Sequence, residues 1–324
     1  MKKILIISSN RLGDSILTSG LINYYKQTYK MSNITFVCGN LPAEIFKYAK
    51  NINKIISLKK RKNSLHWIIL WLEIFNNFWD EVIDLRGTAL SYFLFAKKRT
   101  INPFFDKNKK KKIHKVISIS KFYNYDTIEP NVDLKIKQIP HFNKYFLSKD
   151  YKNFVAIAPG ANWKPKQWPK EYFVELIKKL IKNKIFYYSR FILIGSSNER
   201  RIGKYITNYF EKDTIINLVG IPSLIEVCSI LKKCNLFIGN DSGLMHLSAS
   251  LEIPTVGLFG PSDIEQYRPW GKFTLGIKTP ESPSELMGKK NFSHKNNFSL
   301  MKTLSVSNVE KKIISFYKKN VKKK

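Results

Sequence analysis

Short apolar runs recur along this chain, and between them apolar residues fall three and four apart. Ile4–Ser8 is the first run, closed by the polar turn Ser9-Asn10-Arg11-Leu12-Gly13. Asp14 opens a predicted helix with Ile16, Leu17, Leu21 and Tyr24 on one face, the period of a helix packed on a sheet. Ile34–Cys38 is a second strand with Gly39 and Asn40 as its turn, Pro42–Ala49 a helix, and Ile55–Leu58 a third strand. A long helix over Leu65–Phe78 leads into a strand at Glu81–Leu85. This alternation is the βαβ rhythm of a parallel sheet.

From about Pro103 to Lys149 the rhythm is lost, and Lys-rich, Pro- and Asn-punctuated sequence reads as peripheral structure and a linker. It restarts with a strand at Phe154–Ala158, a helix over Pro169–Lys182, a strand at Phe191–Ile194 and a helix over Glu199–Phe210. Ile215–Asn217 is a short strand. Ser223 and Glu226 have capping-box spacing and start a helix. Leu236–Gly239 and Thr255–Phe259 are strands around a helix at Ser242–Leu251. The expected fold is α/β with two domains, residues 1–148 and 149–324, the last helix being a candidate to pack back on the first domain. Two such sheets leave a crevice at their carboxyl ends, where open α/β folds bind ligands.

The length of 324 residues and the 44% hydrophobic content suit two cores of this kind. No apolar run reaches the ~18 residues that span a bilayer. The closest, Leu65–Trp79, is interrupted by His66, Glu73, Asn76 and Asn77, so it reads as a buried or amphipathic helix. The apolar start, Ile4–Ile7, is shorter than the core of a signal peptide, which points to a cytoplasmic protein. Cys38, Cys228 and Cys234 form no CxxC pair, and His66, His114, His141, His246 and His294 are widely spaced. Reduced thiols, no structural metal and no cofactor are therefore expected.

The net charge of +32 admits a nucleic-acid partner, an anionic membrane or acidic glycolipid, or a compositional excess of lysine. The basic runs Lys107–Lys115 and Lys318–Lys324 read as solvated loop and tail. No nucleic-acid motif accompanies the charge, so no nucleic-acid partner is expected.

Four segments carry candidate chemistry. In Gly239–Leu247, the backbone N–H groups of Ser242, Gly243 and Leu244 would open a helix and welcome an anion. There Asp241 is placed to accept sugar hydroxyls, unless Asp241 or Ser242 merely caps the helix. His246 lies on the same helix, as a nucleotide-sugar contact or a structural histidine. Lys166, just before Trp168-Pro169, is placed to meet a diphosphate or is an ordinary surface lysine. Asp14 would stand at the mouth of the first domain as a proton acceptor or an N-cap, with Arg11 beside it as an acceptor or phosphate contact. Glu199, after Gly195-Ser196-Ser197-Asn198, is placed to grip ribose or to complement a helix dipole.

In this order the segments resemble the bacterial ADP-heptose:lipopolysaccharide heptosyltransferases, glycosyltransferase family 9. The resemblance runs through Ile4–Leu21, Val82–Gly87, Pro159-Gly160-Ala161 and Lys166–Pro169, and is strongest over Leu218–Pro261. The stretch Thr279–Met301 departs from it, lacking the cysteine found there in many relatives. It implies a GT-B fold: two Rossmann-like domains with mostly parallel sheets facing each other across a cleft. It also implies inverting transfer of heptose from ADP-heptose to the inner core of lipopolysaccharide, an anionic lipid-linked oligosaccharide, with peripheral contact at the cytoplasmic face of the inner membrane. By the same resemblance Asp14 matches the base, Lys166 the phosphate-binding lysine, Glu199 a nucleotide contact, and Asp241, Ser242 and Gly243 the turn near diphosphate and sugar.

Two competing readings remain. One is a related transferase with another nucleotide sugar or acceptor, and the other is a basic nucleic-acid-binding protein. A nicotinamide dehydrogenase is disfavoured because Ser8–Asp14 follows the first strand where G-x-G-x-x-G would be needed.

Overall fold

The computed structural model describes residues 1–101, 113–122, 128–135, 140–147, 150–288, 292–295 and 298–320. The chain divides into two compact units, Met1–Ile136 and Lys137–Lys324. The second begins before residue 149, where the sequence pattern put its start. Residues 140–147 pack with it: Lys233 Nζ donates to Asn143 Oδ1 (2.5 Å), Arg190 Nη1 donates to the Tyr145 carbonyl (3.1 Å), and the Phe146 ring lies against Phe154.

The first unit holds β1 (Lys2–Ile7), β2 (Ser32–Gly39), β3 (Lys54–Leu58), β4 (Phe78–Asp84) and β5 (Phe95–Ile101). They pair in the order β3-β2-β1-β4-β5, every pairing parallel. Ile4–Ile7 are fully buried, as expected of a central strand covered on both faces. β5 had no apolar run to announce it, because Lys97, Lys98 and Arg99 are exposed on this edge strand.

After β1 the chain forms two short helices, Leu12–Leu17 and Gly20–Thr28, where the pattern suggested one. Thr18 and Ser19 donate their hydroxyls to the carbonyls of Ser15 and Ile16 at the break. The break shifts the phase, so Tyr25 is buried and Tyr24 only half-buried. Part of the stretch expected to be linker belongs to this unit. The helix Lys115–Phe122 buries Val116 and Ser120, and Leu134 bridges Ala49.

The second unit holds β6 (Asn153–Ala158), β7 (Ser189–Leu193), β8 (Ile215–Asn217), β9 (Leu236–Asn240), β10 (Thr255–Phe259) and β11 (Thr274–Lys278). Their order is β11-β10-β9-β6-β7-β8, again parallel throughout. The final helix, Val306–Asn320, belongs to the second unit. Val309, Ile313, Phe316 and Tyr317 join the second unit's own core, and the Tyr317 hydroxyl donates to Asn153 Oδ1 (2.9 Å).

In each sheet the first strand is central and strand order reverses beside it, between β1 and β4 and between β6 and β9. Ligands of open α/β sheets bind outside the carboxyl ends of the strands at such reversals.

Candidate active site

At the reversal of the second sheet, β6 runs into Pro159–Pro169 and β9 into Asp241-Ser242 and the helix Gly243–Ser250. Asn240, fully buried, ties the two loops together. Its Oδ1 accepts from the Trp168 amide (3.0 Å), and its Nδ2 donates to the Pro159 carbonyl (2.8 Å). That clamp brings Lys166 to Asp241, with Nζ 2.7 Å from Oδ2. Asp241 is 7% exposed and Lys166 29%. His246 Nε2 lies 3.9 Å from Asp241 Oδ1.

Neither Asp241 nor Ser242 caps the helix. Ser242 occupies the N-cap position in extended conformation and makes no side-chain cap bond, while the Asp241 carboxylate is turned to Lys166. Ser242 Oγ is buried and has no hydrogen-bond partner among the described residues, and the same holds for Ser262 Oγ just beyond β10. The first-turn amides, including those of Gly243 and Leu244, have no acceptor within a helix by geometry. Unspent donors, a partial positive helix end and an ammonium therefore converge here, the ingredients of an anion site.

Glu199 sits at the end of β7, but not freely. Its Oε2 accepts from the Ser196 amide (2.6 Å) in a capping box, and a Cβ on Gly160 would collide with its carboxylate. The glycine thus allows Glu199 to lie over the loop that follows β6.

At the reversal of the first sheet, Asp14 lies in the first turn of Leu12–Leu17, where Arg11 holds the N-cap position. Asp14 is therefore not an N-cap. Its Oδ1 pairs with Lys115 Nζ at 2.8 Å, and Ser9 Oγ is 3.5 Å from Oδ2. Arg11 is exposed, with its amide donating to Ser9 Oγ (3.1 Å).

Three residues here escaped sequence reasoning. Lys115 was read as part of a solvated basic run, although Val116 and Ser120, four apart and buried, mark the helix that carries it. Asp84 is fully buried and accepts five hydrogen bonds: from the amides of Arg86, Gly87 and Thr88 and from the hydroxyls of Thr88 and Ser91. The loop it ties down presents Arg86, whose guanidinium donates to Asn10 Oδ1 (2.9 Å) and lies 4.7 Å over the Trp67 ring. Burial lowers the Arg86 pKa and Asp84 partly offsets this.

Among the described residues no group of three His, Cys, Asp or Glu side chains could hold a metal ion. The three cysteines are free and buried, and burial pushes the thiols of Cys38 and Cys228 up to about 12.

The chain is similar to lipooligosaccharide heptosyltransferase 2 of Campylobacter jejuni, 29% identical over 280 residues that cover 83% of this chain and 84% of that one. A glycosyl transferase family 9 structure from Veillonella parvula superposes with a TM-score of 0.78 at 21% identity, covering 98% of both chains. ADP-heptose lps heptosyltransferase II of E. coli gives 0.73 at 19% identity, again over 98% of both. The family description "Glycosyltransferase family 9 (heptosyltransferase)" matches residues 83–295, or 213 of 324, a span that includes the whole Lys166–Asp241 site. With two Rossmann-ordered parallel sheets of the GT-B type and this match, the chain belongs to glycosyltransferase family 9 and is a sugar-transferring enzyme.

Proposed function

We propose that this enzyme transfers heptose from ADP-heptose to the inner core of lipopolysaccharide, with inversion, at the cytoplasmic face of the inner membrane. The observation that carries the reading is the turn at Asp241–Gly243. A buried carboxylate there holds Lys166, while Ser242 Oγ and the helix amides are left for a ligand. A diphosphate supplies the acceptors those donors need. The names of the relatives above supply the nucleotide and the sugar.

In this reading Lys166 and the amides at Ser242, Gly243 and Leu244 take up the negative charge that grows on the departing ADP, a preorganised electrostatic effect. Asp241 fixes the Lys166 ammonium and, with His246 behind it, faces the sugar. Glu199, already anchored by Ser196, offers its remaining oxygen to the ribose.

Asp14 takes the proton from the acceptor hydroxyl as that oxygen attacks the anomeric carbon. Lys115 holds the carboxylate in place beforehand. An acceptor bearing phosphate or acidic sugars competes for the same ammonium, so its arrival frees the base. Arg11 and Arg86 add positive charge on that side.

The test is a binding screen of ADP, UDP and GDP and their sugars, followed by transfer to a deacylated inner-core acceptor read by mass spectrometry. ADP and ADP-heptose should bind tightest, and one heptose should be added. Tighter binding of another nucleotide would move the enzyme to a sister transferase. Stabilisation by NAD without any transfer would end the reading.

A further inference from the structure

The helix Leu65–Ile74 is apolar on two faces, and only one of them is buried against the described residues. His66, Leu70 and Ile74 point inward, with Leu70 and Ile74 each 1% exposed in a core shared with Leu5, Val37 and Val82. Leu65, Ile68, Ile69 and Leu72 fall on the other side, spaced i, i+3, i+4, i+7, and are 47%, 56%, 43% and 58% exposed. That spacing is one continuous stripe along a helix about 15 Å long. Trp71 donates its indole N–H to the Phe93 carbonyl (3.0 Å), and the Phe93 side chain is itself exposed. Contiguous exposed apolar surface of this kind marks an interaction face.

The charge around the stripe selects its occupant. Lys59, Lys60, Arg61 and Lys62 lead into the helix, all exposed, and no acidic residue occurs between Lys59 and Leu72. The nearby acids are already paired: Glu73 with Lys54, Asp80 with Lys97 and Glu81 with Lys98. Trp67 and Trp71, half-buried, pack against the core of the unit and leave the stripe wholly aliphatic. A helix with an exposed apolar stripe and a basic approach suits the headgroup region of an anionic bilayer. Among the described residues no helix is long and apolar enough to cross a membrane, so the contact is lateral.

We infer that Leu65, Ile68, Ile69 and Leu72 seat the first unit on an anionic lipid bilayer, with Lys59–Lys62 meeting the headgroups. This deepens the proposed function, on which its purpose rests. Trp67 carries Arg86 over its ring, and Arg86 reaches Asn10, four residues before Asp14. The start of the membrane-facing helix and the proposed base thus lie toward the same carboxyl end of the first sheet, where the sugar of a lipid-anchored acceptor would be presented.

The experiment is flotation of the full chain with vesicles of phosphatidylethanolamine and phosphatidylglycerol, against vesicles of phosphatidylcholine, at low and high salt. The unaltered chain should float with the anionic vesicles and less so at high salt. The double variant Ile68→Ser, Leu72→Ser should lose binding by about tenfold or more. It should keep its melting temperature and its transfer to a deacylated acceptor in solution. The double variant Lys60→Gln, Arg61→Gln should bind more weakly with a shallower salt dependence.

Equal flotation of the serine variant, or none by the unaltered chain, would overturn the inference. So would a dimer that the serine variant converts to monomer, since the stripe would then belong to a second copy. Vesicle binding without sugar transfer would sink the enzymatic reading and leave the surface standing.

Discussion

Each of the two sheet reversals sets a carboxylate against a lysine, but to very different depths. Asp241 and Lys166 meet at 2.7 Å with the carboxylate 7% exposed, sewn in by Asn240. Asp14 and Lys115 meet at 2.8 Å with 22% and 35% exposure. A buried pair that loses one partner leaves an uncompensated charge, so it behaves as a fixture. A half-exposed pair is screened and contributes little, so an incoming group can exchange with it. The difference suits the proposed roles: the group that holds a diphosphate should not move, and the base must be released when the acceptor arrives.

The largest effect on stability is expected in the loop after β4, outside either pair. Asp84→Ala strands five donors around a buried site in a half-buried loop, and should lower unfolding stability by about 3 kcal/mol, read by denaturant titration. A near-neutral result would mean that the loop presenting Arg86 needs no internal anchor.

Next, Lys166→Met should weaken ADP binding by about 10–100-fold, the size of a lost hydrogen bond to a charged group. Calorimetry would measure it. Lys115→Met should leave ADP binding unchanged, because it lies on the other side of the comparison.

Double-mutant cycles on stability sharpen the contrast itself. The Lys166–Asp241 coupling should reach about 2 kcal/mol, and the Lys115–Asp14 coupling about 0–1 kcal/mol. Equal couplings would erase the distinction between fixture and exchangeable pair.

The smallest effect concerns His66. Its burial, then the charges of Arg86 and Lys60, lower its pKa in the folded chain. The unfolded chain therefore binds the proton first, and stability should decline as pH falls below about 6.5. His66→Asn should flatten that decline in a thermal melt series.

Much of this architecture was legible where one apolar run means one buried strand. Ile4–Ile7, Leu236–Gly239 and Thr255–Phe259 were readable because both faces of an interior parallel strand are covered. β5 and β11 lie at sheet edges and carry half-exposed patterns such as Ala96-Lys97-Lys98-Arg99, which periodicity cannot separate from a loop. The donor-side turn was visible because Asp241-Ser242-Gly243 is contiguous and opens a helix. Its clamp, Asn240, was not, since a buried asparagine reveals itself only through partners some eighty residues away. Lys115 was hidden more deeply: it meets Asp14 across 101 positions from within a basic run. The helix Leu65–Ile74 was read as buried or amphipathic, and it turns out to be apolar toward the core and toward the outside alike.

The most direct test of the central claim is Asp14→Asn, with ADP binding measured by calorimetry and sugar transfer measured on the same preparation. Transfer should fall by about 10²–10⁴-fold, the usual contribution of a general base, while ADP binds as before. Near-normal transfer, or loss of ADP binding in step with transfer, would contradict the assignment of proton removal to the first unit and nucleotide holding to the second.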